Sequence, residues 1–164
     1  MEINKKVSWS KFVKTITVLV TLLLLVGAVG VIWGLQQSVD SVGLVVLILI
    51  VAVPFCFILQ TPVRVQIVGQ QLILKKIVGN VTINISDIRE IGVFVPDSIE
   101  LRLFGSGGLY GYIGIFRNSK LGNYRSYVGN YSQSFYVVLN NNRKYVFSCR
   151  DREEVIASVQ QKMN

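Results

Sequence analysis

From Thr15 to Val39 the chain carries no charged side chain, and from Ser41 to Val63 it again carries none; only Asp40 separates the two runs. About 20 apolar residues, each rising about 1.5 Å in a helix, span the roughly 30 Å hydrocarbon core of a bilayer. The pair of runs therefore predicts two transmembrane helices, at about 12–35 and 42–59, joined by a short turn, Gln36 to Ser41. Two buried helices of this length, both without charge, do not suit a soluble protein of 164 residues. The overall mean hydropathy of +0.50 reflects this concentration of apolar residues. A signal peptide is the competing reading, since Lys5, Lys6, Lys11 and Lys14 precede the first run. That run is longer than the 7–15 residues of a signal core, and no A-x-A site follows it.

Charge sets the expected orientation. Residues 1–14 have a net charge of +3, Arg64, Lys75 and Lys76 follow the second run, and the turn between the runs has only an acid. The positive-inside rule puts both termini in the cytoplasm and the turn outside. With Trp9 and Phe12 beside lysines, residues 1–14 read as an amphipathic start on the membrane or as a frayed tail. No Asp, Glu, Lys or Arg lies inside either run, which leaves nothing for a charge-based proton or ion path. Gly27, Gly30 and Gly34 have small-xxx-small spacing, which suits close helix packing. The tethered second helix is the expected partner, and a dimer interface is the alternative. Pro54 removes one helical hydrogen bond and predicts a kink. Thr61-Pro62 ends the second helix.

After Pro62 the period changes. Residues 63–67 alternate apolar and polar, 72–78 and 81–85 form further β-branched runs, and Gly69-Gln70 and Gly79-Asn80 make the turns. Ser86 opens one helical turn, residues 91–95 resume as a strand, and 98–104 alternate with Ile99, Leu101 and Leu103 on one face. The stretch 105–131 interleaves glycine with aromatic residues and reads as a long excursion, partly hairpin. Residues 135–139 and 144–148 form a hairpin about Asn140-Asn141-Asn142. Helix 152–162 closes the chain, with Asp151 as N-cap, Glu154 at the capping-box position, and Val155, Ile156 and Val159 on its apolar face. The expected organisation is 1–62, a basic N-terminus plus the helical hairpin, and 63–164, a β domain with a C-terminal helix.

Several chemistries are excluded or disfavoured by what the chain lacks. It has no histidine, which removes Ser-His-Asp and Cys-His pairs and His-based zinc sites. Cys56 and Cys149 have no CxxC spacing and read as reduced packing residues. Gly105, Gly107 and Gly108 lack the G-x-G-x-x-G and G-K-[ST] spacings of phosphate loops. Residues 110–116 lack the leading base of an RNA-binding strand, so no nucleic-acid partner is expected. Asp87, Glu90, Asp97 and Glu100 suit turn and strand positions better than acid–base catalysis. No catalytic residue, cofactor or metal site is expected.

The strand-rich part carries thirteen bases and seven acids. Between Leu101 and Arg150 there are seven bases, Arg102, Arg117, Lys120, Arg125, Arg143, Lys144 and Arg150, and no acid. This reads in three ways: a scattered solubilising surface, contact with anionic lipid at about 1 kcal/mol per base, or an acidic partner. Tyr110 and Tyr112 add rigid contact area. They rest on the sheet or headgroups, or form part of a partner surface.

The segments VRVQIVGQQLILKKI, SDIREI, LRLFGSGGLYGYIGIFRNSKLGNY and KYVFSCRDREEVI cover most of residues 63–160. In these the chain resembles a family of bacterial pleckstrin-homology (PH)-like domains whose members carry two transmembrane helices before the domain. The resemblance implies an α+β membrane protein: a transmembrane hairpin followed by a bent antiparallel β-barrel or sandwich of about seven strands and one C-terminal helix. It implies no catalytic residues. The expected function is a membrane-tethered binding or scaffolding module facing the cytoplasm. The alternative is an orienting reader of anionic headgroups through the basic 101–150 surface, with Arg102, Arg117, Lys120, Arg125, Arg143, Lys144, Tyr110 and Tyr112 as contacts.

Overall fold

The computed structural model describes residues 2–37 and 41–163. The expected turn around Asp40 falls largely outside them. The chain opens with strand β1 (Ile3–Lys6), then helix α1 (Lys11–Gln37) and helix α2 (Ser41–Leu59). At about 1.5 Å per residue the helices are about 40 and 28 Å long. Both are long and apolar enough to cross a membrane. Their large side chains, Leu23, Val26, Trp33, Val42 and Ile48 among them, face outward. α2 continues through Pro54 as one helix.

The β part follows as β2 (Pro62–Val68), β3 (Gln71–Lys76), β4 (Asn80–Asn84), β5 (Ile88–Val93), β6 (Leu101–Gly108), β7 (Gly111–Asn118), β8 (Gly122–Val128), β9 (Ser134–Leu139) and β10 (Lys144–Ser148). Helix α3 (Arg152–Met163) ends it. The strands form two sheets, one ordered β1-β2-β3-β4 and the other β5-β9-β10-β8-β7-β6. All neighbours are antiparallel except β10 and β8, which are parallel. The architecture is thus a sandwich of two sheets with a packed C-terminal helix.

Period-2 alternation explains the core. Val65 and Ile67, Leu72 and Leu74, and Ile83 point inward from the smaller sheet. Phe135, Val137, Tyr145 and Phe147 meet them from the larger sheet, and Val155, Ile156 and Val159 close the end from α3. Burying such side chains stabilises by about 1.5–3 kcal/mol each.

Three expectations change. Residues 3–6 are neither tail nor membrane-surface helix: they pair with β2 in register Ile3–Ile67 to Lys6–Arg64, and Ile3 enters the core. β-branched Ile3 and the outward Lys6 suit an edge strand. The irregular stretch 105–131 is mostly regular, supplying the end of β6 and all of β7 and β8. Glycine hid this, because Gly105 and Gly114 face each other at φ +107° and +137°, and a Cβ on either would overlap the other strand's carbonyl. The capping box is replaced by an ion pair. Asp151 starts α3 through its carbonyl, which accepts from Glu154 N–H at 3.1 Å. Its carboxylate and that of Glu154 instead take Lys5 Nζ, at 3.2 and 2.6 Å. These contacts hold the Lys5 ammonium above its usual pKa, Glu154 contributing most.

Candidate binding face

The helices join the β domain without slack. Ser10 N–H donates to Gly129 O at 2.9 Å, and Ser10 Oγ caps α1 by accepting from Val13 N–H at 3.2 Å. Gly129 is required here, since a Cβ would sit 2.6 Å from Ser8 O. The β6–β7 turn rises along α1, where Tyr110 N–H donates to Thr17 Oγ1 at 3.0 Å and the Tyr110 hydroxyl lies 3.1 Å from Thr21 Oγ1. At the end of α2, Val78 N–H donates to Leu59 O at 3.0 Å and Ile77 N–H to Thr61 O at 3.1 Å. Lys76 Nζ reaches Gln60 Oε1 at 2.6 Å.

These contacts define a helix-proximal end of the domain, and strand register defines the opposite one. β7 runs from Gly111 beside α1 to Asn118, roughly 24 Å away at about 3.4 Å per residue. β8 returns from Gly122, and β10 starts beside that end at Lys144, whose Nζ donates to Leu121 O. A notch of about 210 Å³ opens there. Arg125, Arg143 and Lys144 line it with Ile115, Asn123 and Tyr145, and no acid does.

The expected contact residues are therefore divided. Arg125, Arg143 and Lys144 come together in the notch. Arg117 lies opposite Leu101 and Asn123 in the ladder, on the Ile115 and Arg125 side of the sheet. Lys120 borders a different hollow with Glu90 and Tyr136. Arg102 runs along β6 toward Gly107. Tyr110 is buried against α1. Tyr112 packs against Tyr131, the tilted rings 4.4 Å apart. A Cβ on Gly27, Gly30 or Gly34 would meet nothing within 4 Å.

Sequence reasoning missed the aromatic cluster behind β7 and β8. Phe94, Phe116, Tyr124, Val128 and Val146 are buried there, with Tyr112, Tyr131 and Tyr136 against them. The segment after β5 folds over this cluster. Phe94 N–H donates to Ser134 O at 3.1 Å, and Glu100 gathers Asp97 N–H at 2.8 Å, Asn118 Nδ2 at 3.0 Å and the Tyr124 hydroxyl. Burial, then the Glu100 bond, pushes the Tyr124 phenol far above its ordinary value, and burial does the same to Tyr131. Tyr136 is pushed up to about 12, first by its 2.5 Å bond to Glu90. Asp97 is lowered, chiefly by the Ser119 hydroxyl. The spacing of Tyr112, Phe116 and Tyr124 carried the signal, since same-face positions recur every two residues.

The acids are thus engaged in holding this segment and β5, in keeping with structural use. Cys149 is buried and its thiol raised to about 12, which leaves it unreactive. Among the described residues no group of three His, Cys, Asp or Glu could hold a metal. A family model for the bacterial PH domain matches residues 63–163. The chain belongs to the bacterial PH domain family. No curated protein and no solved structure matches it. PH domains are in general binding modules rather than enzymes. In this PH domain the matched segment covers β2 to α3 and leaves out β1, although β1 completes the smaller sheet.

Proposed function

We propose that the protein is a membrane-tethered binding module, helices α1 and α2 supplying the anchor and β1 with residues 62–164 the reader, which presents the notch of Arg125, Arg143 and Lys144 to an acidic protein partner. α1 and α2 cross the bilayer, both termini lie in the cytoplasm, and the anchor fixes the domain's orientation. One observation carries this reading: both helices are hydrogen-bonded into the domain at one end, and the acid-free notch lies at the other. Charges some 20 Å from the helix-proximal end lie beyond the Debye length of about 8 Å, so they suit a partner in solution better than the anchoring bilayer.

A second reading, contact with anionic headgroups, is favoured by a different part of the surface. Ile77 and Val78 are half exposed beside the end of α2, next to Lys75 and Lys76, and Lys11 and Lys14 open α1. Lipid contact then belongs to the helix-proximal end and not to the 101–150 bases.

The test uses full-length protein in anionic proteoliposomes with an environment-sensitive dye at Val78→Cys or Arg143→Cys, in a chain whose Cys56 and Cys149 are replaced by Ala. The expected result is a blue-shifted dye at 78 and an aqueous one at 143. A blue shift at 143 overturns the outward-facing notch. Crosslinking in native membranes is expected to recover one protein in stoichiometric yield, lost in Arg125→Glu with Arg143→Glu.

A further inference from the structure

The largest sheet is wider than the core it covers. Its β6–β7 hairpin contributes nothing to the cluster shared by the two sheets and α3. One face of the hairpin carries Tyr112 and Phe116 into the aromatic cluster. The other face is open over its helix-distal half. A bulge at Leu103 turns Phe104 opposite Ile115, while Leu101 lies opposite Arg117, so Leu101, Phe104 and Ile115 share that face. They are 55%, 72% and 40% exposed, and Leu103 on the rim is 53%. β6 is also the last strand of its sheet and pairs with β7 alone. Its far end is covered: Ser106 is buried, and Phe12 and Ile16 of α1 lie against Gly108.

We infer that the free edge of β6, from Leu101 to Gly105, is a docking strand for an extended segment of a partner protein in which apolar and acidic residues alternate. An added strand satisfies the open backbone edge, and alternate side chains fall on one face. On the open face they meet Leu101, Phe104 and Ile115, with Arg117 and Arg125 beside them. Ile115 and Arg125 also line the notch, so the edge and the notch form one continuous surface. The acids nearest β6 are engaged: Glu100 by Asn118 and Tyr124, and Asp97 by Ser119 and Ser98. Arg102, Arg117 and Arg125 outnumber these two carboxylates around the edge, which favours an acidic segment.

A second copy of this chain does not fit. Identical edges related by a two-fold axis pair antiparallel, whereas two copies inserted the same way in one bilayer hold their β6 strands parallel. Packing the open faces together would oppose Arg117 and Arg125 with their own kind. The inference rests on the tethered-module reading for its partner in solution, and adds the edge strand to it.

The test uses full-length protein in nanodiscs and a nine-residue peptide alternating Glu with Val or Ile. Amide exchange is expected to slow within residues 101–105, and affinity to fall at least tenfold on Phe104→Glu, on Glu→Lys exchange in the peptide, and on N-methylation of alternate peptide amides. Slowed exchange elsewhere, equal binding of the N-methylated peptide, or no binding overturns the docking strand. A Leu103→Cys disulfide between two copies overturns it in favour of self-association. Loss of the crosslinked partner in Arg125→Glu with Arg143→Glu, alongside failure of the peptide, defeats the docking strand alone. A blue-shifted dye at 143 with peptide protection intact defeats the outward-facing notch alone.

Discussion

The half of the larger sheet formed by β5, β9 and β10 and the half formed by β6, β7 and β8 are built from different residues for different ends. The first is aliphatic and aromatic on the inner face, closed by α3 and the smaller sheet, with Phe135, Val137 and Phe147 almost fully buried. The second is glycine and tyrosine. It packs one face under a strap, residues 94–100, and leaves the other partly bare. In the closed half, packing holds the strands. In the open half, hydrogen bonds to Glu100 and Asp97 hold the strap, and apolar side chains stay exposed. A module that must keep its shape while offering a surface has reason to separate the two.

The largest effect tests the closed half. Phe147→Ala removes a ring in contact with Phe135, Tyr145 and Tyr127. It is expected to cost about 3–5 kcal/mol, read as the shift in unfolding midpoint of the detergent-solubilised protein. A loss under about 1 kcal/mol would mean that the closed half does not carry the stability assigned to it.

Ile3→Ala comes next, at about 2–4 kcal/mol, because Ile3 is buried between β2 and α3. The same measurement checks it. An unchanged midpoint would return β1 to the status of a tail. Removing residues 2–10 altogether is expected to leave 63–164 aggregating, since β2 would then be a bare edge.

Much of the closed half and of the smaller sheet that covers it was readable in the sequence, and little of the open half was. Val65, Ile67, Leu72 and Leu74 alternate with polar neighbours, so period 2 found their strands. The paired helices were legible because absence of charge over 20 residues has few other causes. β7 was hidden because Gly111 and Gly114 occupy places where strands normally carry branched side chains. β1 was hidden because INKK is too short to show a period, and its partner is 60 residues away. The basic notch was half visible: Arg125, Arg143 and Lys144 were named, but only the parallel pairing of β10 with β8 brings them together and separates them from Arg102 and Lys120. Glu100 read as a solvent-facing strand residue because nothing local announces a strap.

Glu100→Ala tests that strap. It leaves the buried Tyr124 hydroxyl without its acceptor and frees Asn118 Nδ2, at an expected cost of about 1–3 kcal/mol. Amide exchange is expected to quicken in 94–100 and 111–118 while 135–148 stays protected. Uniform quickening across both halves would show them to be one cooperative unit.

Alkaline pH gives the smallest and most selective test. An unfolded tyrosine ionises near 10, whereas Tyr136 is held at about 12 and Tyr124 and Tyr131 higher still. Their folded values exceed the unfolded one, so their contribution is complete below pH 10 and declines as pH rises through the folded values. Lys5, on β1 of the smaller sheet, also loses its contribution above about 10.5, but its ion pairs are at the surface, where such pairs are worth little. Tyr124 lies on β8 and Tyr131 follows it under the strap, whereas Tyr136 on β9 makes its bond to Glu90 at the surface, so the open half is expected to loosen first above pH 10. Ultraviolet titration should show these three tyrosines ionising late and together with faster exchange in 111–128. If instead they ionise near 10 with exchange unchanged, the aromatic cluster is wetter than its packing implies, and the contrast between the halves reduces to the strap.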